Sequence, residues 1–488
     1  MCHNQPRSLT YPFSISSKTS KINKFFLDCK EGNLFFEQPL KGRKNKNAMK
    51  PKILLVNPPI YDFAAYDFWL KPYGLLRTAG KLKSFSELYL FDFLYRRSPE
   101  FSPSLKEDAW GRGEFPHQRI EKPAALRDIP RFYNRFGRNQ DSFCQFLDRY
   151  GPFHFALIQT SLTYWYPGVR EVIQTLRRIQ PQTKIVLGGF YATCCRDHAQ
   201  SLGADRVISD THFEPLWELL GFEPSAEYSP PYWEGYPELD KGIITLTEGC
   251  PFQCSYCYQP LAGRPFRPRP LEECIADYEH LARLGVRNIA FYDDALLVNP
   301  QQTLLPFLDY VICHPHGIAF HTPNALHARL LSPLLAEKMA RAGFQTFYLG
   351  FESASRAFQE ATGQKVLSGD LAEAVEALKT AGIRSEQITA YILLGHPKGD
   401  LQQVEESMHF AHSLGIRIML ADFSPIPGTP DGELCRQWTD LDEPLNHNKT
   451  AFPIRLLGRE KTNFFKELCR RLNRRLSDGS APCSDGGI

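Results

Sequence analysis

The sequence lacks an excess of charge, a long apolar run and a secretory leader. Its 57 Lys and Arg against 54 Asp and Glu leave a formal charge of +3 over 488 residues. That balance offers no broad electrostatic surface for a polyanion, so nucleic acid is not an expected partner. No run of ~18 consecutive apolar residues is present, which excludes a membrane-spanning helix from the expectations. The N-terminus has no compact apolar segment with a small-residue cleavage site, and a cytoplasmic location is expected. What the chain has in quantity is apolar and aromatic: 43% hydrophobic and 13% aromatic residues can fill more than one core, and this length usually divides into two or three domains.

A disulfide framework is also missing. The thirteen cysteines are odd in number, widely scattered, and sit in a chain too large to need stapling. Most of them, including the adjacent Cys194 and Cys195, read as buried thiols. Three stand apart, at 250, 254 and 257 in "TEGCPFQCSYCYQP" (247 to 260). This C-x3-C-x2-C spacing departs from the paired C-x2-C of structural zinc, and a fourth Cys or His at finger-like spacing is lacking. The nearest further cysteine, Cys274, falls in a predicted helix beyond a Pro- and Arg-rich stretch. Three thiolates on one short loop can instead hold three irons of a cubane cluster, leaving the fourth iron open for a non-protein ligand.

Residues 1–48 have polar stretches and no sustained periodicity, and Met49 directly precedes a strand pattern; they are expected to be disordered or non-native, with Met49 as the start. From there to 221 the chain reads as a doubly wound parallel sheet. "ILLVN" (53 to 57), "LYLFDF" (88 to 93), "FALIQTS" (155 to 161) and "KIVLGG" (184 to 189) are strands, with a helical "VREVIQTLRRIQ" before the last. Residues 98–150 interrupt this unit as an insertion, and 222–241 form a linker rich in Pro and aromatics. Residues 242–431 then alternate six strands with helices, the pattern of a partial (β/α)6 TIM-like barrel whose chemistry sits at the carboxyl ends of the strands. A C-terminal extension follows from 432, with a basic helix near "NFFKELCRRLNRRL" that reads as a solvated face or as a contact for an acidic partner.

The cysteine loop "CPFQCSYC" resembles that of the radical S-adenosylmethionine (radical SAM) superfamily, including an aromatic residue, Tyr256, before the third cysteine. It lies directly after the first strand of the barrel. "FYDDALLVN" (291 to 299), "TPNAL" (322 to 326), "LGFESAS" (349 to 355), "ILLGHPKGD" (392 to 400) and "PIPGTP" (425 to 430) follow in order and resemble the branch with an N-terminal cobalamin-binding-like domain. The likeness covers about residues 50 to 430. It implies that Cys250, Cys254 and Cys257 ligate a 4Fe-4S cluster whose open iron takes S-adenosylmethionine, and that reductive cleavage yields a 5'-deoxyadenosyl radical acting on an organic substrate. Within that reading, Asp293 and Asp294 are candidates to accept from the methionyl ammonium, and Glu352 and Ser353 to bond the ribose or the amino-acid moiety. Gly395 would let backbone approach the adenine, and Tyr256 would contact the same base.

The first domain resembles a cobalamin-binding domain, in which Ser161, Gly188 and Gly189 would line the groove for the nucleotide tail. It lacks the D-x-H-x-x-G loop that gives a histidine to cobalt: after the second strand stands "FDFLYRR", with Asp92 but no histidine. His198 and His212 fall in other loops, and "ISDTHFEPL" replaces the G-E-G-E run common before the linker. Cobalamin-dependent methyl transfer and a cobalamin-free rearrangement, ring closure or oxidation therefore both stay open. A flavodoxin or ferredoxin is the implied electron donor. The other class of function is a non-catalytic iron-sulfur protein for electron transfer or sensing, with structural zinc as a third. Residues 61–76 ("YDFAAYDFWLKPYGLL") are candidates for substrate or cobalamin contact or for interdomain packing, and His321, Asn324 and His396 are candidate polar groups at the barrel mouth.

Overall fold

The computed structural model describes residues 50–101, 105–209, 212–363 and 366–477; the extension expected over residues 1–48 lies outside them. The run "ILLVN" becomes strand β1 (Lys52–Asn57). Leu54 and Val56 enter one apolar core and Ile53 and Leu55 another, on the opposite face of the sheet. Burial on both faces explains why the strand reads as a continuous apolar run and not as an alternation. With β2 (Glu87–Asp92), β3 (Phe155–Thr160), β4 (Lys184–Gly189) and β5 (Arg206–Ile208) it forms a parallel sheet of order β5-β4-β3-β1-β2. The order reverses between β1 and β3, the position at which open α/β sheets bind ligands.

Helix α1 (Tyr73–Leu82) covers one face of this sheet. Helices α2 (Gln140–Tyr150) and α3 (Tyr166–Ile179) cover the other. Gly168 permits α3 to approach the loop after β1, since a Cβ there would lie 1.8 Å from the Pro59 carbonyl oxygen. From the insertion, Tyr133–Phe136 pairs on one side with Ile60–Asp62 and on the other with His117–Ile120 in a three-stranded antiparallel ribbon.

The second sheet runs in sequence order through β6 (Lys241–Ile244), β7 (Asn288–Phe291), β8 (Ala319–His327), β9 (Phe344–Glu352), β10 (Ile388–Leu394) and β11 (Arg417–Asp422). Every neighbouring pair is parallel. Helices α4 (Leu271–Arg283), α5 (Leu304–Cys313), α6 (Pro333–Ala342), α7 (Ser368–Thr380) and α8 (Leu401–Ser413) form the connections. Their placement follows local signals. For α6, the Ser332 side chain accepts from the backbone N–H of Leu335 at the start, and Gly343, at φ +98°, ends the helix in the left-handed region. The chain thus combines a doubly wound parallel sheet with a partial (β/α)6 barrel.

The aromatic segment 61–76 turns out to pack, at its centre, into the barrel. Trp69 is fully buried against Ala290 and Tyr348, beside Phe68, Tyr292 and Tyr391. Its indole N–H donates to the Trp110 carbonyl at 3.0 Å, and Arg112 donates to the Tyr348 hydroxyl at 2.6 Å. Lys241, at the start of β6, is buried with its Nζ 2.7 Å from Asp67.

The last part of the chain joins both cores. Leu445, Ala451 and Ile454 pack under the first sheet, while His447 bonds Thr163 at 2.9 Å and Asn448 donates to Asp62 at 2.8 Å. Helix α9 (Arg459–Ser477) lays Phe465, Leu468 and Leu472 on the barrel core. Its apolar stripe is therefore consumed by packing, and its arginines form the outer side.

Candidate active site

The three-cysteine loop leaves the carboxyl end of β6 through Gly249, whose φ of +71° and close approach to Pro265 O admit no side chain without strain. Glu248, just before it, is gripped by Arg77 of α1 at 2.8 Å and by Arg267. Burial alone would raise the Glu248 pKa, but the two guanidiniums outweigh it and hold the carboxyl at about 2. The loop is then fixed by its own and neighbouring backbone. Ser255 N–H donates to Thr362 O at 3.2 Å, Cys257 N–H to Cys254 O at 3.0 Å, and Gln259 N–H to Cys257 Sγ at 3.5 Å. Gly363, at φ +115°, lets the adjacent chain come against Cys254; a Cβ there would meet the Cys254 Cα at 3.2 Å.

A buried polar group supports the loop from below. Asp431 accepts from the Ser255 hydroxyl, and its own N–H donates to Ser255 O at 3.1 Å. The other groups on its carboxylate are His396 Nε2 at 3.0 Å and Lys398 Nζ at 2.6 Å. His396 Nδ1 accepts from the Lys398 N–H at 3.1 Å, so the imidazole proton sits on Nε2 and is donated to Asp431. Burial opposes ionisation of Asp431, yet the hydrogen bonds from His396, Lys398 and Ser255 keep its pKa well below the usual carboxylate range. Asp431 escaped the reading of the sequence. The signal was an acid directly after "PIPGTP", at the point where the last barrel strand hands over to the extension.

Cys250, Cys254 and Cys257 form no disulfide. Burial raises the Cys257 pKa to about 11, with further contributions from the charges of Cys254, Asp294 and Cys250. Among the described residues no three Cys, His, Asp or Glu side chains close around a single-ion position. Tyr256 is packed beside Phe423, Cys435 and Phe452, and burial, then the charge of Glu352, raises its pKa far above the ordinary value.

The acids expected around the loop fall at the carboxyl ends of neighbouring strands. Asp293 Oδ1 accepts from the N–H groups of Leu246 (2.8 Å) and Thr247 (2.6 Å) and from the Thr247 hydroxyl (2.7 Å). Its Oδ2 is buried with no partner among the described residues, and burial raises the carboxyl pKa to about 7. Asp294 is exposed and accepts from Gln259 Nε2 at 2.7 Å, which ties it to the cysteine loop. Glu352 sits at φ +63° where the register between β9 and β10 shifts. A left-handed glutamate costs roughly 1–3 kcal/mol and is a backbone feature concentrated at functional sites. Ser353 is buried, and its hydroxyl accepts from Ser355 N–H at 3.1 Å. Gly395 has φ +81°, and a Cβ on it would meet Pro453 at 2.7 Å, so packing of the C-terminal segment already requires glycine there.

His321 is fully buried between Thr346 and Asn288, each at 3.0 Å, and lies away from solvent. Asn324 donates to the Tyr292 carbonyl at 3.1 Å. At the other domain, Phe190, which follows the Gly188–Gly189 pair, meets Tyr258 of the cysteine loop edge to face at 5.0 Å. The carboxyl edge of the first sheet therefore faces the same loop. Gly189 is held at φ +113°, where a Cβ would strike Thr160 O at 2.1 Å. A Cβ on Gly188 would meet nothing within 4 Å, so neither packing nor backbone of this chain demands that glycine. Ser161 accepts from Tyr191 N–H at 3.0 Å through its carbonyl. Asp92 is consumed by Asn57 (2.7 Å), the Leu94 N–H (2.8 Å) and the Tyr236 hydroxyl (2.6 Å).

Residues 244–411 match the Radical SAM superfamily, and this part of the chain is a radical SAM domain. The two-sheet architecture around it is that of solved cobalamin-dependent radical SAM enzymes. The methyltransferase TsrM from Kitasatospora setae, solved with cobalamin and a [4Fe-4S] cluster, superposes with a TM-score of 0.59 at 14% identity, over 86% of this chain and 91% of that one. The cobalamin-dependent radical enzyme OxsB, solved with aqua-cobalamin and S-adenosylmethionine, gives 0.53 at 12% identity, over 86% and 61%. Among curated proteins, an uncharacterized methyltransferase of Pyrococcus horikoshii is 26% identical over 193 residues, 38% of this chain and 40% of its own length. Hopanoid C-2 methylase of Rhodopseudomonas palustris is 24% identical over 197 residues, 39% and 36% of the two lengths. The chain thus spans less than half the length of these two relatives.

Proposed function

We propose that the protein is a radical SAM enzyme acting on an organic substrate. The observation that carries this reading is the cysteine loop at the mouth of the barrel, with Asp293 Oδ2 buried and unpartnered at the adjacent strand end. Three thiols spread along one loop suit the separate irons of a cluster better than a single zinc ion. Cys250, Cys254 and Cys257 would hold the 4Fe-4S cluster. When bound there with S-adenosylmethionine, the cluster supplies reductive cleavage to a 5'-deoxyadenosyl radical. Asp293 Oδ2 would accept from the cationic amino group, with Asp294, Glu352 and Ser353 at the ends of the next strands for the remaining polar groups. Tyr256 and the Gly395 backbone would border the adenine. The packed Trp69 closes the barrel interior, so substrate would enter from the side facing the first sheet.

Cobalamin belongs to the finer reading. Gly188, a glycine the fold itself does not need, leaves open space at the edge where Ser161 and Gly189 also lie, and a nucleotide tail would fit there. No side chain is assigned to cobalt. With cobalamin bound, methyl transfer is the reaction class this reading favours. A flavodoxin or ferredoxin would deliver the electron.

The deciding experiment is anaerobic incubation of the reconstituted protein with S-adenosylmethionine and dithionite, beside Cys254→Ala. Release of 5'-deoxyadenosine by the wild type alone is expected. A wild type with a full cluster that releases none would turn the assignment to electron transfer or sensing. Absorbance after incubation with hydroxocobalamin and gel filtration reads the finer point.

A further inference from the structure

On the outer side of the molecule, a cleft of about 550 Å³ opens between the ribbon of the insertion and the start of α9. Arg119, Lys122, Arg131 and Arg459 line it, and Phe132 lies in its wall. None of these four cations is paired with a carboxylate among the described residues. Lys122 Nζ rests on the Ile129 carbonyl at 2.6 Å, and Arg131 bonds Asn463. The single acid of the cleft, Glu121, is nearly fully exposed and reaches only Arg127, at 3.8 Å.

Phe132 is 64% exposed, unusual for a side chain of its size, and one face of its ring is covered by the Arg119 guanidinium at 3.5 Å from the centroid. The arrangement is a flat aromatic–guanidinium stack beside unneutralised positive charge, at the amino end of a helix 19 residues long. Arg459 opens that helix, whose amino end adds partial positive charge and whose first turn also carries Glu460. A net charge of +3 summed over the whole chain does not reveal such a local excess.

We infer that this cleft binds a phosphate ester carrying an aromatic base, the chemistry shared by a free nucleotide and by one nucleotide of a single-stranded RNA. The open ring face would stack the base, and Arg119, Arg131, Lys122 and Arg459 would neutralise the phosphate. The inference is independent of the radical chemistry, since no cleft residue belongs to the cysteine loop or to the strand ends around it.

The test is calorimetric titration of the full chain with AMP, adenosine, inorganic phosphate and a short oligoadenylate RNA. Saturating S-adenosylmethionine without reductant keeps any adenine site in the barrel filled. AMP or the oligonucleotide is expected to bind at least about tenfold tighter than adenosine, which lacks the phosphate, and than inorganic phosphate, which lacks the stacked base. Arg119→Glu and Arg459→Glu, both at exposed positions, should each weaken that binding about tenfold, and Phe132→Ala should weaken AMP but not phosphate. Binding of AMP assigns the free nucleotide as the source, and binding of the oligonucleotide alone assigns the strand. No binding of either at millimolar concentration, or binding that the two charge reversals leave unchanged, overturns the inference.

Discussion

The indole of Trp69 lies stacked on the imidazole of His321, their centroids 4.3 Å apart and their planes inclined by 20°. One ring comes from the loop after the first domain's first strand, the other from the third barrel strand. Trp69 is also left-handed, at φ +58°. The pair therefore measures how firmly the first domain is wedged into the barrel. Trp69→Ala is expected to cost about 3–5 kcal/mol, as for other fully buried large aromatics. Chemical unfolding followed by circular dichroism reads it; a loss below about 1 kcal/mol would mean that the barrel interior does not depend on this wedge.

His321 carries a pH signature. Burial, assisted by the charge of Arg112, pushes its pKa down to about 3, whereas an unfolded histidine titrates near 6.5. Below pH 6.5 the unfolded chain therefore binds the proton that the folded chain refuses, and stability falls as pH drops. Between pH 6.5 and 5 this amounts to roughly 2 kcal/mol. His321→Gln should lose correspondingly less than the wild type over the same interval, read from urea midpoints at the two pH values. Equal losses in the two proteins would show that His321 is not the group responsible.

Much of this architecture was legible because parallel strands buried on both faces leave unmistakable apolar runs, as "ILLVN" and "ITAYILLG" do. The cysteine loop was legible for a chemical reason: few arrangements use three thiols at that spacing. The support beneath it was not. Asp431 meets Ser255 across 176 positions of sequence, and nothing local marks an acid as the anchor of a distant loop. Gly395 illustrates a converse ambiguity: a glycine that would let backbone approach the adenine is already required by packing, because a Cβ there would meet Pro453 at 2.7 Å. Trp69 was ambiguous because aromatic side chains line ligand sites and cores alike.

Asp431 predicts a phenotype at the cluster loop. Asp431→Asn keeps the shape but leaves His396, Lys398 and Ser255 without a carboxylate. Removing one member of a buried ion pair costs about 3–5 kcal/mol, and the partial exposure of Lys398 lowers that figure here. The local consequence is the informative one: faster hydrogen exchange at residues 250–257 and fewer irons retained per chain after reconstitution. Because the folded pKa is depressed, the stabilisation is fully present above the ordinary carboxylate range and is lost only as pH falls below it. The difference between wild type and variant should therefore shrink once the pH falls below the ordinary carboxylate range.

Asp293 has the opposite sign. Its folded pKa of about 7 lies above the ordinary 3.8, so the folded protein holds a proton that the unfolded chain releases near pH 4. Stability falls as pH rises from about 4 to 7 and is flat beyond, by a total of roughly 4 kcal/mol. A cationic amino group placed at Oδ2 would displace that proton. Titrations with S-adenosylmethionine at pH 6.5, in buffers of different ionisation enthalpy, should report proton release for the wild type and none for Asp293→Asn. Identical proton counts would remove Asp293 from the set of cofactor contacts.

Asn473 closes the open edge of the barrel. Strand β11 is the last of the six, and its outer backbone groups would otherwise be available to another chain. The side-chain amide of Asn473 satisfies both groups of one residue there: Oδ1 accepts from Ile418 N–H at 2.9 Å, and Nδ2 donates to Ile418 O at 2.8 Å. It thereby imitates one rung of a missing strand, while Phe465, Leu468 and Leu472 cover the apolar surface around it. Asn473→Leu keeps the branched outline of the side chain but deprives the Ile418 N–H of its partner, at about 1–3 kcal/mol for a donor left buried, and leaves Ile418 O with only the Cys469 thiol at 3.4 Å. The variant should melt earlier, and light scattering after gel filtration should detect association through the uncovered edge. A variant that melts with the wild type and elutes unchanged would show that water replaces the amide without cost, and that α9 protects the edge by coverage alone.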